Sequence, residues 1–346
     1  MIEIDGSYGE GGGQILRTSL SLSCLTGQPF RIVNIRKGRK KPGLMPQHLV
    51  AVRAARMVSG AVVNGDEKGS TELTFSPDAV RSGDFDLDIG TAGSIPLVLQ
   101  TVIPPLLFAG GQSRVTLQGG THVPFSPSFH YLAEVFAPML ARLGVEVRFS
   151  IKSYGFYPRG GGRVTAEVKA AAGLKPFNQV QRGEPVRLNG YSAVGNLPLS
   201  IAERQRGAAL ELIRERIQGR LPLEVNLLNV PTPGKGTFVF LLAEYENVRS
   251  GFTSLGALGK RAEAVGEEVA REFISHHATG AALDPHLADQ LVLYLALAEG
   301  ESSFTTSAIT EHLLTSLWAV ERFRPCRYRV EGNVGEPGRV RINISR

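Results

Sequence analysis

Four polar clusters of this sequence contain residue types that handle phosphate groups. They are the glycine-rich segment 9–17, the basic segment 36–43, the turn-like segment 155–162 and the histidine-containing segment 311–315. Glycines let backbone amides approach an anion closely, and guanidinium groups neutralise its charge. A carboxylate can hold a divalent metal, and a histidine can attack phosphorus. Together the clusters predict phosphoryl or nucleotidyl transfer.

The glycine run 11–13 precedes a predicted helix over 14–25. Its spacing matches neither the Walker nor the Rossmann pattern, and a glycine triplet alone is more often a flexible turn. Glu10 and Arg17 flank the run. A helix that begins near Gly13 would place Arg17 one turn along the helix, on the face that carries the glycines. We therefore interpret the run as a candidate anion site.

Arg36 and Arg39 form the second candidate group, with Gln47 soon after them. Three arginines and one amide around a single phosphate would stabilise the charge of a five-coordinate transition state. The alternative is a solvated basic loop, which is the usual meaning of such a run. Gly38 and the following 42–43 Pro-Gly pair favour a shaped loop instead.

His312 is the candidate nucleophile among the seven histidines of the chain. A lone histidine at the start of an apolar helix is otherwise an ordinary buried polar residue. As a nucleophile it must be neutral, and nearby arginines would lower its pKa. Attack on the α-phosphorus of ATP would then form a phosphoramidate that carries AMP.

The composition limits the class of protein. The chain has 346 residues, of which 42% are hydrophobic and 20% charged, as is typical of a globular protein of about two domains. No apolar stretch reaches the ~20 residues of a membrane span. The net charge of +6 favours anionic partners, nucleic acid among them. Two cysteines fit a reducing compartment, so we expect a cytoplasmic protein.

The order of predicted elements indicates an α/β protein with an insertion. A glycine-rich turn followed by an apolar helix occurs at 9–25 and again at 90–108, and a related pattern returns near the end. Between 184 and 278 the sequence pattern changes and predicts long charged helices and strands without glycine clusters. We therefore predict a large discontinuous domain of three repeats, 1–183 and 279–346, with a smaller α/β domain inserted at 184–278.

Apolar periodicity also predicts individual elements. Helices are expected over 46–62, 94–108 and 129–143, and a strand over 30–35. The pair Pro104-Pro105 should kink or end the second of these helices.

Taken together, the clusters resemble the RNA 3′-terminal phosphate cyclase family. The match extends nearly end to end and includes the Gly-x-x-Pro-x-Gly-Gly-Gly signature at 155–162 and the segment 286–290. The resemblance implies an α/β (α+β) fold, with a large domain of three βαβαββ-type units and a smaller inserted α/β domain. The signature itself receives no catalytic role.

The resemblance also implies a reaction. Such enzymes use ATP and a divalent cation, Mg²⁺ or Mn²⁺, and act on RNA with a 3′-phosphate end. AMP is first attached to a histidine with release of pyrophosphate and then passes to the RNA 3′-phosphate. The neighbouring 2′-hydroxyl attacks, AMP leaves, and a 2′,3′-cyclic phosphodiester remains.

Individual roles follow from the positions that match the family motifs. His312 matches the histidine that carries AMP, and Glu10 matches the metal-binding carboxylate. The phosphate-binding positions are Arg17, Arg36, Arg39 and Gln47. The ATP- and adenine-binding positions are Gln100, Pro127, His286, Leu287, Ala288, Asp289 and Gln290. Pro127 and His286 would lie on either face of the adenine, and family members can carry tyrosine in place of His286.

Three other functions are weighed against this one. A catalytically inactive relative that binds during ribosome assembly would lack the histidine and much of the phosphate cluster. An enolpyruvyl transferase resembles the cyclases in its repeated α/β units, but it would form no nucleotide adduct. A general RNA-binding module would need an aromatic-rich strand signature, which the sequence does not contain. The oligomeric state stays open.

Overall fold

The computed structural model describes residues 1–217, 219 and 221–344 of the chain, which form a mixed α/β protein. Within them, sixteen strands form four sheets of four strands each. No helix of these residues is both long and apolar enough to cross a membrane.

The first sheet is built from the amino-terminal segment. Its elements are β1 (Ile2–Asp5), α1 (Gly13–Thr26), β2 (Phe30–Val33), α2 (Pro46–Ser59), β3 (Val62–Asn64) and β4 (Leu73–Ser76). The strand order is β1-β2-β4-β3, with β1 and β2 parallel and the other pairs antiparallel.

The second sheet has the same order of elements and the same strand order. Its elements are β5 (Asp84–Asp88), α3 (Ile95–Leu106), β6 (Ser113–Gly119), α4 (Phe129–Tyr131), a π-helical turn (Leu132–Phe136), α5 (Ala137–Ala141), β7 (Val147–Ser153) and β8 (Gly162–Val168). The order β5-β6-β8-β7 again has one parallel pair, β5 with β6.

A different sheet follows the short strand β9 (Asn178–Gln179). Its elements are β10 (Pro185–Gly195), α6 (Leu199–Arg216), β11 (Leu223–Asn229), β12 (Gly236–Tyr245), β13 (Arg249–Leu255) and α7 (Ala262–Thr279). The strand order is β11-β10-β12-β13, and these strands pair only with one another among the described residues. Helices α6 and α7 pack side by side against this sheet.

The fourth sheet combines β9 with the carboxyl-terminal segment. The remaining elements are α8 (Pro285–Leu295), β14 (Gly300–Thr306), α9 (Glu311–Phe323), β15 (Arg327–Glu331) and β16 (Gly338–Ile344). The order β15-β16-β14-β9 contains one parallel pair, β9 with β14.

Helices from three of the sheets meet in a common core. Helix α1 packs on α2, α3 and α9, and α8 packs on α3 and α9. Fully buried leucines fill this core, including Leu20, Leu99, Leu291 and Leu317. Burial of each such side chain contributes about 1.5–3 kcal/mol. The core fixes the amino ends of α1 and α9 relative to each other.

The helix predictions differ from the structure mainly at their ends. Helix α2 ends at Ser59 because Gly60 takes the left-handed conformation with φ of 63°, and the last predicted helical residue, Val62, begins β3. The helix predicted over 129–143 contains the π-helical turn and ends at Ala141. The pair Pro104-Pro105 lies in the last turn of α3, which ends at Leu106.

Candidate active site

His312 lies in the first turn of α9, directly after the cap of that helix. The cap is Thr310, whose hydroxyl accepts a hydrogen bond from the backbone N–H of Leu313 at 2.9 Å. The same hydroxyl donates to the carboxylate of Asp289 on α8. Helix α8 therefore holds the start of α9. The His312 side chain is 47% exposed, and its Nδ1 lies 3.9 Å from Oε2 of Glu10.

The glycine run packs tightly beneath this histidine. The backbone N–H of Glu10 donates to the hydroxyl of Thr315 on α9 at 3.2 Å. The Glu10 carboxylate folds against Gly12, where any Cβ would overlap it. A Cβ at Gly13 would lie 2.5 Å from Nε2 of His48 and 2.8 Å from Nη1 of Arg17. The glycines are thus needed for close approach of functional side chains.

Arg39 and Arg17 supply positive charge near His312. The guanidinium of Arg39 forms an ion pair with the Glu10 carboxylate, and its Nη2 donates to the Glu10 carbonyl at 3.0 Å. Arg17 donates to the amide oxygen of Gln14 at 3.0 Å and forms no ion pair with any described residue. Burial lowers the pKa of Arg17 to about 10, so it stays charged at neutral pH. A largely buried cation without a counter-ion is suited to bind an anion.

Arg36 and Gln47 lie at the edge of this group. Nη1 of Arg36 donates to the carbonyls of Lys41 and Gly43, at 2.8 and 2.9 Å, so Arg36 holds the basic loop in shape. Gln47 is exposed in the first turn of α2, next to Gly93. The structure therefore gives Arg36 a role in shaping its loop, beside the phosphate contact predicted from the sequence.

The pKa of His312 is lowered from the ordinary value of 6.5. Partial burial is the largest cause, and the positive charge of Arg17, the nearby His286 and the charge of Arg39 follow. The imidazole is therefore neutral at physiological pH and keeps a lone pair on one ring nitrogen. This is the protonation state that a nucleophilic histidine needs.

The residues predicted to bind the nucleotide base fall into two groups. His286 is exposed at the start of α8, and Pro127 is partly exposed in the loop before α4. By contrast, Leu287 and Ala288 are fully buried in the core, so their side chains face away from any ligand in solvent. Their side chains position α8, and their predicted role at a nucleotide site stays a prediction for their backbone groups.

A cavity of about 30 Å³, lined in part by polar side chains, lies between α1, α3, α8 and α9. Arg17 and Asp289 line it, together with three polar atoms that have no hydrogen-bond partner. These atoms are Nε2 of Gln100, Oε1 of Gln290 and the hydroxyl of Tyr294. Burial raises the pKa of Asp289 to about 8. A cavity of this size with several polar partners has room for ordered water.

His48 is a residue of this region that the sequence analysis did not single out. It is 2% exposed, and its Nδ1 accepts a hydrogen bond from the backbone N–H of Met45 at 3.0 Å. The ring hydrogen is therefore on Nε2, which faces Gly13. Burial, with the charges of Arg17 and Arg36, lowers the pKa of His48 to about 3. Its position directly after Gln47 was the available signal.

The candidate site offers a divalent cation few protein ligands. The described residues contain no group of three or more His, Cys, Asp or Glu side chains able to hold a metal. Mg²⁺ in phosphate-transfer sites commonly has one or two carboxylates, with substrate phosphates and water completing its shell. Glu10 fits the position of such a single carboxylate, although Arg39 is its present partner.

The signature at 155–162 makes structural contacts. A Cβ at Gly155 would overlap the carbonyl oxygen of Gly119, and one at Gly161 would lie 2.7 Å from Pro233. The ring of Phe156 occupies the space beside Gly236. The signature is therefore a close-packed turn that joins the second sheet to the segment before β12.

Comparison with known proteins identifies the family. The family model described as RNA 3′-terminal phosphate cyclase matches residues 8–330. A protein named RNA 3′-terminal phosphate cyclase from Nostoc punctiforme is 45% identical over 337 residues, which cover 95% of this chain and 96% of that protein. A protein of the same name from Pyrobaculum neutrophilum is 44% identical over 331 residues, 95% of each chain. Another, from Salmonella enteritidis, is 44% identical over 333 residues, 96% of each chain.

Among solved structures, the chain is similar to the enolpyruvyl transferase NikO from Streptomyces tendae, with a TM-score of 0.39 and 10% identity. That match covers 98% of this chain and 48% of the other, and its values are too low to argue for a shared fold or activity. The family model and the three relatives, in contrast, span nearly the whole sequence. This chain is therefore a member of the RNA 3′-terminal phosphate cyclase family.

Proposed function

We propose that this protein converts the 3′-terminal phosphate of RNA into a 2′,3′-cyclic phosphodiester, using ATP. The observation that carries the proposal is a half-exposed, neutral His312 beside the Glu10 carboxylate, under the influence of Arg17 and Arg39. These are the parts required for nucleotidyl transfer through a covalent histidine. The names of the relatives support RNA as the substrate.

In the first step, a nitrogen of His312 attacks the α-phosphorus of ATP. A P–N bond forms, the bond between the α-phosphorus and its bridging oxygen breaks, and pyrophosphate leaves with the electron pair. Glu10 faces Nδ1 of His312 and would hold the proton there, which leaves the lone pair on Nε2. Arg17 and Arg39 would stabilise the charge that develops on the phosphate oxygens.

In the next steps, an oxygen of the RNA 3′-phosphate attacks the AMP phosphorus, and the P–N bond to His312 breaks. The RNA phosphate now carries AMP as a leaving group, which a phosphate monoester lacks because oxide cannot depart. The 2′-hydroxyl attacks the activated phosphorus, and a P–O bond forms while the bond from that phosphorus to the bridging oxygen breaks. AMP leaves with the electron pair, and the hydroxyl proton passes to solvent. The hydroxyl is already beside the phosphorus, so proximity supplies much of the rate.

Substrate binding follows from the residues around the histidine. Glu10 would hold a divalent cation, which would neutralise part of the phosphate charge. Pro127 and His286 would contact the two faces of the adenine. Gln100, Asp289 and Gln290 line the cavity behind Arg17, from which they would support the nucleotide site through ordered water.

We also propose the domain organisation that the sequence analysis predicts. Three sheets share one strand order, first-second-fourth-third, within βαβαββ-type segments. The third segment is interrupted after β9 by strands β10–β13, which pair only among themselves within the described residues. This pattern supports a large domain of residues 1–183 and 279–346 with an inserted domain at 184–278.

The test is the mass of the protein after incubation with ATP and Mg²⁺ or Mn²⁺. We expect a gain of one AMP, mapped to the peptide that contains His312, and its transfer to RNA with a 3′-phosphate. RNA with a 2′-deoxy terminus should accumulate as the adenylated intermediate, because the attacking hydroxyl is missing. Absence of any adduct, or enolpyruvyl transfer from phosphoenolpyruvate, would contradict the proposal.

A further inference from the structure

An aromatic stack lies next to the glycine run and is not used by the proposed chemistry. The ring of Tyr8 stacks on that of Trp318, with centroids 4.1 Å apart and planes within 14°. Trp318 belongs to α9 and packs against the core from its partly buried position. The guanidinium of Arg322, one turn further along α9, lies 4.9 Å from the Trp318 ring centre. The indole of Trp318 is therefore in contact with both Tyr8 and Arg322.

The Tyr8 ring is partly exposed and, among the described residues, stacks on Trp318 alone. The side chain is held from one side by Trp318, and the residue is 44% exposed. Its backbone is fixed, since its N–H donates to the carbonyl of Asp5 and its carbonyl accepts from Gly11, both at 3.1 Å. A partly exposed aromatic ring held by a packed neighbour is the arrangement that stacks nucleobases in single-stranded nucleic acid sites.

The charge around the stack suits a nucleic acid strand. Arg322 forms no ion pair with any described residue, although it contacts the Trp318 ring. The exposed lysines of the basic loop, Lys37, Lys40 and Lys41, are also without ion pairs in the described part of the chain. A backbone of phosphates would thus meet positive charge on the way to the site.

The stack is continuous with the candidate active site. Tyr8 is two residues before Glu10, whose N–H is bonded to Thr315. Trp318 is one turn beyond Thr315 and six residues beyond His312, which is about 9 Å along the helix axis. The stack therefore lies close enough to His312 for a nucleotide near the 3′ end to reach it.

We propose that the partly exposed ring of Tyr8, supported by Trp318, binds a nucleobase of the RNA strand upstream of its 3′-phosphate end. The ligand is the base itself, of any identity, because every base has a π-face. Arg322 supports the Trp318 ring and attracts the backbone. This inference rests on the proposed function, since it assumes an RNA strand whose end is at His312.

The test combines protein variants with RNA that lacks single bases. RNA ending in 3′-phosphate is prepared with one abasic nucleotide placed in turn at each position upstream of the terminus. The KM for RNA is measured with the unaltered protein, Tyr8→Ala and Tyr8→Phe. A matched control is Tyr157→Ala, an exposed tyrosine in no ring contact with other described residues.

We expect one upstream position at which loss of the base raises the KM of the unaltered protein roughly 5- to 100-fold. Tyr8→Ala should raise the KM for intact RNA by a similar factor and abolish the effect of the abasic position. Tyr8→Phe and Tyr157→Ala should keep the effect. No sensitive position, or equal sensitivity in Tyr8→Ala, overturns the proposal.

Protein adenylation by ATP in the absence of RNA separates this inference from the function on which it rests. If the unaltered protein forms no AMP adduct, the proposed function fails. If the adduct forms but no upstream base matters, only the stacking site fails. Should Tyr8→Ala disturb adduct formation through Glu10, Tyr8→Leu replaces it, and the abasic scan of the unaltered protein still decides.

Discussion

His312 and His122 both have a pKa below the ordinary value for histidine, and burial is the largest cause in each. Their surroundings differ. His122 is 1% exposed, its ring stacks on Phe238 at 4.1 Å, and its Nε2 has no hydrogen-bond partner. His312 is half-exposed, and the next causes of its lowered pKa are Arg17, His286 and Arg39. A lowered pKa makes a histidine neutral, whereas access and neighbouring charge decide whether it can meet an anionic substrate.

The His122 region joins two parts of the molecule. His130 lies beside His122, with its Nε2 hydrogen-bonded to the Tyr154 hydroxyl at 3.2 Å. Both histidine rings contact Phe238 on β12, so α4 and the second sheet are packed against the segment that follows β9. The aromatic contacts of this cluster contribute to the packing between these parts.

Replacing each histidine in a separate variant should give the largest difference, which is in formation of the AMP adduct. His312→Asn removes the nucleophile, so we expect complete loss of the AMP adduct with the fold retained. His122→Phe keeps the ring contacts and should still form the adduct. Mass spectrometry after ATP treatment checks both, with circular dichroism as the folding control. An adduct in His312→Asn would contradict the assignment.

Removing Arg39 should give a smaller effect at the same site. Arg39→Ala removes a cation expected to stabilise the transition state, so adenylation should slow roughly 10²- to 10³-fold. A matched control is Arg114→Ala, since Arg114 is also an exposed arginine paired with a glutamate, Glu167, at 3.0 Å. Single-turnover kinetics measure both rates. Equal adenylation rates in the two variants would show that Arg39 is not one of the phosphate-binding residues.

The smallest expected difference between the His312 and His122 regions is in how folding stability depends on acid pH. The folded-state pKa of His122 lies well below 6.5, so below pH 6.5 the unfolded chain binds a proton that the folded chain does not. Stability is therefore retained above this pH and lost as the pH falls toward the folded-state pKa, by up to about 1.4 kcal/mol per pH unit. Urea midpoints at several pH values measure the loss.

In this titration His122→Phe should show a smaller loss than the unaltered protein. Part of the loss should persist, because burial also lowers the pKa values of His48 and His276 to about 3. An identical pH dependence in the variant and the unaltered protein would show that His122 is not one of the linked groups.

The sequence predicted the family and the mixed α/β class, and the comparisons and the structure confirm both. It also singled out Glu10, Arg39 and His312, which the structure places together. These residues were recognisable because their chemistry is unusual and they lie in short glycine-rich or basic segments. Their individual roles stay predictions.

Contacts between distant segments were beyond the reach of sequence patterns. His48 is on the buried face of α2, so its pattern is that of a core residue, and its relation to Gly13 depends on how α2 packs on α1. Thr310 and Asp289 meet only because α8 and α9 are adjacent. The π-helical turn after α4 and the end of α2 at Ser59 depend on local backbone geometry that apolar periodicity does not encode.

The bond between Glu10 and Thr315 joins residues that are 305 positions apart. A ribosome therefore makes the arginines and the carboxylate well before it makes the histidine. No nascent fragment that stops short of α9 contains the residue that would accept AMP. Under the proposed function, reaction with ATP would thus report that α9 has been made and has packed against the glycine run.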